Sequence, residues 1–162
     1  MYDLIDSLQD LDEYYYIDFI PYETSDVKFL ELEEYFETTY LPLYAKKISR
    51  IALKLIYFFP CEIYLIESPI SIDLEYEISF DVNIRNSSPE KLAYIIEKII
   101  SKDFSSVKIL FTEPQFLMSM DGEFSVSFYK PTDEVVQLLQ KLIYQEGLFL
   151  KYRNSTGVRL LT

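Results

Sequence analysis

The chain has 162 residues, of which 49% are hydrophobic and 17% aromatic, and it carries a formal net charge of −12. At this size one domain buries roughly 70% of the surface its unfolded chain exposes, so a core forms without metal or disulfide, and the hydrophobicity excludes a disordered chain. The lack of histidine and the lone Cys61 exclude Ser-His and Cys-His nucleophiles, histidine-bound metals, thiolate zinc sites and an internal disulfide.

Leu4, Ile5, Leu8 and Leu11 predict a short helix over Tyr2 to Asp12, and YYYIDFI predicts a strand closed by Pro21. Ser25 or Asp26 caps a helical stretch running to about Leu41, and Pro42 starts or kinks a second that ends near Phe59. Ile48, Ile51, Ala52, Leu55 and Phe59 share its core face, while Lys46, Arg50 and Lys54 form a basic stripe that lies in solvent or pairs with Glu33, Glu34 and Glu37. CEIYLIE, after Pro60, is apolar on both faces and reads as an interior strand, with Cys61 a small hydrophobe at its start.

From Ile70 to Arg85 the chain alternates: every even position is apolar and every odd one polar or charged. Fully extended, the segment would span ~53 Å, so an interruption is expected near Leu74, with the second half the firmer strand.

A repeat follows. Ser88-Pro89 opens a helix burying Leu92, Ile95, Ile96, Ile99 and Ile100, and Thr132 opens another burying Val135, Leu138, Leu139, Leu142 and Ile143, the same positions shifted by 43 residues. Phe80, Val82 and Ile84 before the first helix match Phe124, Val126 and Phe128 before the second, and VKILFT after the first matches LFLKY after the second. Two tandem strand-helix-strand units, with Asp121-Gly122 as a turn before the second, predict a βαββαβ, ferredoxin-like core. The expected fold is α+β: a mixed or antiparallel sheet with helices mainly on one face, extended by the N-terminal strand-helix-strand unit. It is one domain over 1–162, with an acidic, tyrosine-rich portion at 1–68, the repeat at 69–155 and a tail at 156–162.

In such a sheet the outward positions are Asp81, Asn83, Ser125 and Ser127, which offer no aromatic platform for bases. None of the three glycines belongs to a phosphate-cradling or dinucleotide motif. Asp73, Glu75 and Glu77 stand in line on one strand face, an arrangement poorly suited to a hard cation, whose ligands converge from several elements. No catalytic, cofactor or metal residue is assigned.

The charge is uneven. Residues 1–40 hold twelve acids against Lys28, giving −11, whereas 41–60 hold four bases and no acid. Such a field repels nucleic acid and anionic membrane and steers basic proteins; it also serves solubility. An acidic N-terminus unlike a signal peptide, and no apolar run near the ~20 residues a spanning helix needs, lead to the expectation of a cytoplasmic protein. Nine of fifteen tyrosines fall in the first sixty residues, and the three in DLDEYYY cannot all point into one core. Asp10, Asp12, Glu13, Tyr14, Tyr15 and Tyr16, with Asp73, Glu75 and Glu77, are therefore the candidate partner-binding residues. Size, acidity and missing catalytic groups resemble the profile of bacterial immunity proteins and antitoxins, non-catalytic inhibitors that cover a basic partner such as a toxin domain. The alternatives are a ferredoxin-like ligand-binding or regulatory domain acting as a homodimer, and a carboxylate- and metal-dependent enzyme.

Overall fold

The structure, a computed structural model, describes residues 2–21, 31–69 and 72–162. Among these residues seven strands, β1 (Tyr14–Asp18), β2 (Cys61–Leu65), β3 (Val107–Thr112), β4 (Gln115–Met120), β5 (Val126–Tyr129), β6 (Phe149–Asn154) and β7 (Gly157–Leu160), form one sheet. Its order is β2-β3-β4-β5-β1-β6-β7, and every neighbouring pair is antiparallel. The fold is α+β, with helices α2 (Leu41–Phe58), α3 (Pro89–Lys102) and α4 (Asp133–Gln145) on one face and the short α1 (Tyr2–Gln9) on the other.

Alternation dictates which side chains go where. Ile17, Ile63, Leu65, Ile109, Phe111, Phe116, Met118, Val126, Phe128 and Leu150 point to the main core, where they meet the apolar faces of α2, α3 and α4. Each fully buried side chain of this kind contributes about 1.5–3 kcal/mol. On the opposite face Ile5 and Leu8 of α1 cover Tyr64, Leu110 and Leu117, a second and smaller cluster. Because α1 reaches only the β2-β3-β4 half, the rest of that face stays open.

The caps fall as expected. The Ser88 hydroxyl accepts from the Lys91 N–H, Thr132 accepts from Val135 N–H, and α3 ends at Asp103 in the left-handed conformation. The five core residues expected on α3 are all buried; on α4 Val135, Leu139 and Ile143 are buried, with Leu138 and Leu142 half-buried beside them. Pro42 leaves a distinct mark. Lacking an N–H for the carbonyl four residues back, it follows a π-helical turn, Phe36–Tyr40, in which Leu41 N–H reaches Phe36 C=O.

Several expectations are corrected. Helix α1 stops at Gln9. Ser25 and Asp26 lie outside the described residues, and the helix before Pro42 is described from Glu33. Arg50 does not pair with Glu33, Glu34 or Glu37 but with Glu146 at 2.6 Å, which raises the guanidinium and holds the carboxyl below its ordinary value. β4 and β7, neither of them expected, complete hairpins with β3 and β6; the β3–β4 turn carries a cis Glu113-Pro114 bond, and β7 occupies the supposed tail.

The largest correction concerns the alternating segment, of which residues 72–85 are described: they form no strand. Ile72, Leu74, Ile78, Phe80 and Ile84 do pack on the core, so the alternation records burial. The backbone instead bends near Glu75-Tyr76 and turns at Asp81, where φ is +59°; its Asp81 and Ile84 N–H groups bond to β2, at the Leu65 and Ile63 carbonyls, in place of a strand ladder. The first repeat unit thus lacks its opening strand. The second forms a split unit, β5-α4-β6, with β1 inserted between its two parallel strands. β2 is consequently the end strand of the sheet, and both its faces are covered because α1 packs above and the main core below.

Candidate functional site

One row of side chains crosses the whole sheet on the face shared with α1: Tyr64, Lys108, Ser119, Ser127, Tyr16, Lys151 and Leu160, each directly opposite the next. Two lysines in this row are buried, Lys108 at 5% exposure and Lys151 at 2%, and each meets an aspartate. Lys108 Nζ donates to Asp121 Oδ1 and to Ser119 Oγ, both at 2.6 Å, and the Ser119 hydroxyl donates to Asp121 Oδ2. Lys151 Nζ lies 2.8 Å from Asp18 Oδ2.

The two aspartates, Asp18 and Asp121, also line a concavity of about 600 Å³ that is open to solvent. Tyr14, Tyr16 and Asp18 come from β1, Ser125, Val126 and Ser127 from around β5, and Arg153 from β6. The β4–β5 turn supplies Asp121 and Glu123, and the end of α3 supplies Asp103. Local geometry fixes that rim: Glu123 N–H bonds to the Ile100 carbonyl, one of the unsatisfied C-terminal carbonyls of α3, and Gly122 takes φ +93° beside Asp103. A Cβ on Gly122 would stand 2.0 Å from the Asp103 carboxylate. The wall is therefore acidic at Asp103 and Glu123, while Asp18 and Asp121 are neutralised by the lysines beneath. Tyr14 packs against Tyr16 and Tyr129 with ring centroids 6.0 and 5.6 Å away. Burial, aided by Asp121, raises the Tyr129 phenol above its ordinary value, so it stays a neutral hydrogen-bonding group.

The sequence-predicted residues divide. Tyr14 and Tyr16 face this concavity, and Asp10, Asp12 and Glu13 are exposed on the link between α1 and β1 that precedes them. Tyr15 points the other way, onto Tyr152 at 4.9 Å beside the main core, and its burial raises its phenol. Glu13 accepts the Tyr152 hydroxyl. Asp73, Glu75 and Glu77 belong elsewhere. They are exposed on the irregular segment, where Asp73 and Glu77 border a separate hollow of about 320 Å³ with Tyr76 and Phe104. Tyr2, which donates to Asp81, ties the other end of α1 to that segment, so the helix stands between the two acidic groups.

Sequence reasoning missed Asp18, Asp103, Asp121, Glu123 and Arg153. The period-two rule applied from Tyr14 and Tyr16 would have reached Asp18; Asp103 and Glu123 are distant in sequence and meet only through the turn on α3. Ser119 has the neighbours of an activated hydroxyl, yet it is fully buried and no substrate carbonyl can reach it. Among the described residues no three carboxylate or cysteine groups converge to hold a metal ion, and no helix is long and apolar enough to cross a membrane. No protein-family profile, curated protein or solved structure matches the chain.

Proposed function

We propose that the chain is a non-catalytic protein-binding inhibitor of the immunity-protein or antitoxin type, which covers a basic surface of its partner with the open half of the sheet. The observation that carries this reading is the concavity itself: Tyr14 and Tyr16 offer rigid amphipathic contact area, and Asp103 and Glu123 stand beside them as carboxylates without an ion pair among the described residues. A lysine or arginine stem laid over the tyrosine rings would bring its charge to that rim. Asp10, Asp12 and Glu13 extend the same negative field along the approach and speed encounter. This site moves the binding surface from the whole tyrosine-acid segment to its outward half, and leaves out Asp73, Glu75 and Glu77.

A ferredoxin-like regulatory homodimer is the weaker proposal, because among the described residues one split strand-helix-strand unit is formed where that arrangement needs two. The test is affinity capture from lysate of the source organism with tagged chain, washed at low and high salt. One basic protein held in near-equal amount, released by salt and lost with Tyr14→Ala or Glu123→Lys, supports the inhibitor reading. Retention unaffected by both substitutions removes this face from it.

A further inference from the structure

The two ends of the sheet are built differently. At the β2 end the chain closes the edge itself: Asp81 and Ile84 donate to β2 carbonyls, and Asn83 Oδ1 accepts the Ile63 N–H at 3.0 Å. At the β7 end no such hydrogen bond closes the edge among the described residues. In the β6–β7 hairpin Arg153 faces Val158, Tyr152 faces Arg159 and Lys151 faces Leu160, and Leu161 N–H donates to the Leu150 carbonyl. That phase turns the backbone of Gly157, Arg159 and Leu161 toward β6 and leaves the N–H and C=O groups of Val158 and Leu160 pointing outward. Gly157, Val158 and Arg159 are exposed, and the strand carries no proline, lysine or bulge to blunt its edge.

Charge also marks this end within an acidic chain. Residues 147–162 hold Lys151, Arg153 and Arg159 and no acid, +3 in a chain of −12. Lys151 is spent on Asp18, but Arg153 and Arg159 make no ion pair among the described residues. Arg159 lies over the Tyr152 ring at 5.3 Å, beside a hollow of about 240 Å³ lined by Tyr152, Asn154, Thr156, Gly157, Val158 and Arg159. Glu13, an acid on this side, is engaged by the Tyr152 hydroxyl.

We propose that β7 is a docking edge for an extended acidic segment of a partner protein, added as an eighth strand with an apolar-acidic-apolar core. The added backbone would bond to Val158 and Leu160. Its middle residue would fall opposite Arg159, on the face with the hollow, where a carboxylate gains an ion pair; the residues on either side would fall opposite Val158 and Leu160, where apolar groups fit. A second copy of the chain fits less well. Pairing both outward residues of β7 with both of the partner's β7 is possible in one antiparallel register, and that register sets Arg159 opposite the partner's Arg159, a like-charge contact.

The test uses the full chain and a synthetic capped peptide, IDLEYEI, whose alternation matches the requirement, together with a control carrying lysine at its three acidic positions. We expect the acidic peptide to bind at low salt, to protect the Val158 and Leu160 amides from hydrogen exchange, and to lose tenfold or more in affinity with Arg159→Glu and with Val158→Pro, which removes one outward N–H while remaining tolerable on an edge strand. The control peptide should not bind. The proposal is overturned by absence of binding, by equal binding of the control, by protection elsewhere on the molecule, or by a dimer of the chain that Val158→Pro disperses.

Discussion

Asp18 and Lys151 form an ion pair at 2.8 Å on a sheet face where the lysine retains 2% of its surface. Strand register brings them together: Asp18 faces Phe149, and Lys151 lies two residues along, opposite Tyr16. Asp18→Asn leaves the buried ammonium without its counter-charge and should cost about 2–4 kcal/mol, somewhat under the full range for buried pairs because Asp18 is partly exposed. Lys151→Met keeps the packed stem and should cost less than half as much. Urea unfolding of both variants gives the comparison; equal losses would mean that packing and not charge holds the lysine.

Among the described residues eight tyrosines, Tyr2, Tyr15, Tyr40, Tyr44, Tyr64, Tyr129, Tyr144 and Tyr152, have phenols raised above the ordinary value, mostly by burial; Tyr2 is pushed up to about 12, by burial first and then by Asp81. A raised folded value means the unfolded chain loses its protons first. Their contribution to stability is therefore complete below pH 10 and declines as pH rises toward the folded values. Tyrosinate absorbance followed against pH, with far-UV circular dichroism beside it, should show late, cooperative ionisation coincident with unfolding. Independent titration of all fifteen tyrosines near pH 10 in a folded chain would contradict this.

Gly122 holds the acidic rim of the concavity in place. Gly122→Ala combines a φ of +93° with a Cβ 2.0 Å from the Asp103 carboxylate, and should destabilise by about 1–3 kcal/mol while displacing Asp103. Thermal unfolding together with the amide shifts of Asp103 and Glu123 measures both effects. Unchanged values for both would show that the turn relaxes freely.

Asn83→Ala removes the oxygen that accepts from the Ile63 and Arg85 N–H groups, and should cost about 1–2 kcal/mol. Exchange of the Ile63 amide should accelerate with it. An Ile63 amide still protected would assign closure of that edge to Asp81 and Ile84 alone.

Charge reversal separates the two acidic groups. If the open sheet face is the binding surface, Asp10→Lys, Asp12→Lys and Glu13→Lys should each slow association with a basic partner and flatten its salt dependence, whereas reversals at Asp73, Glu75 and Glu77 should leave both within twofold. Stopped-flow association rates at several ionic strengths decide it; equal effects from both groups would return the second group to the interface.

The helices were legible because their signals are local. Ser88-Pro89 and Thr132 mark their starts, and the 3.6-residue spacing of Leu92 to Ile100 marks a face regardless of what it meets. Strands were less so. The perfect alternation of Ile72 to Ile84 reports which side chains are buried, but membership of a sheet requires an unoccupied neighbouring backbone, which no single segment can announce. Gln115–Met120, apolar on both faces under α1, lacks alternation for the converse reason. The concavity was half legible: Tyr14 and Tyr16 follow from three successive tyrosines in a strand, whereas Asp103 and Glu123 meet only because Glu123 N–H closes the end of α3.

The side chain of Asn83, standing in for a backbone carbonyl at the β2 edge, also sets a limit on assembly. Two copies of a sheet closed at one end and open at the other can join edge to edge once, because neither copy then offers a second open strand. Copies of the chain joined only through β7 would therefore stop at a pair, and the chain should stay free of linear polymers built by strand addition even at high concentration.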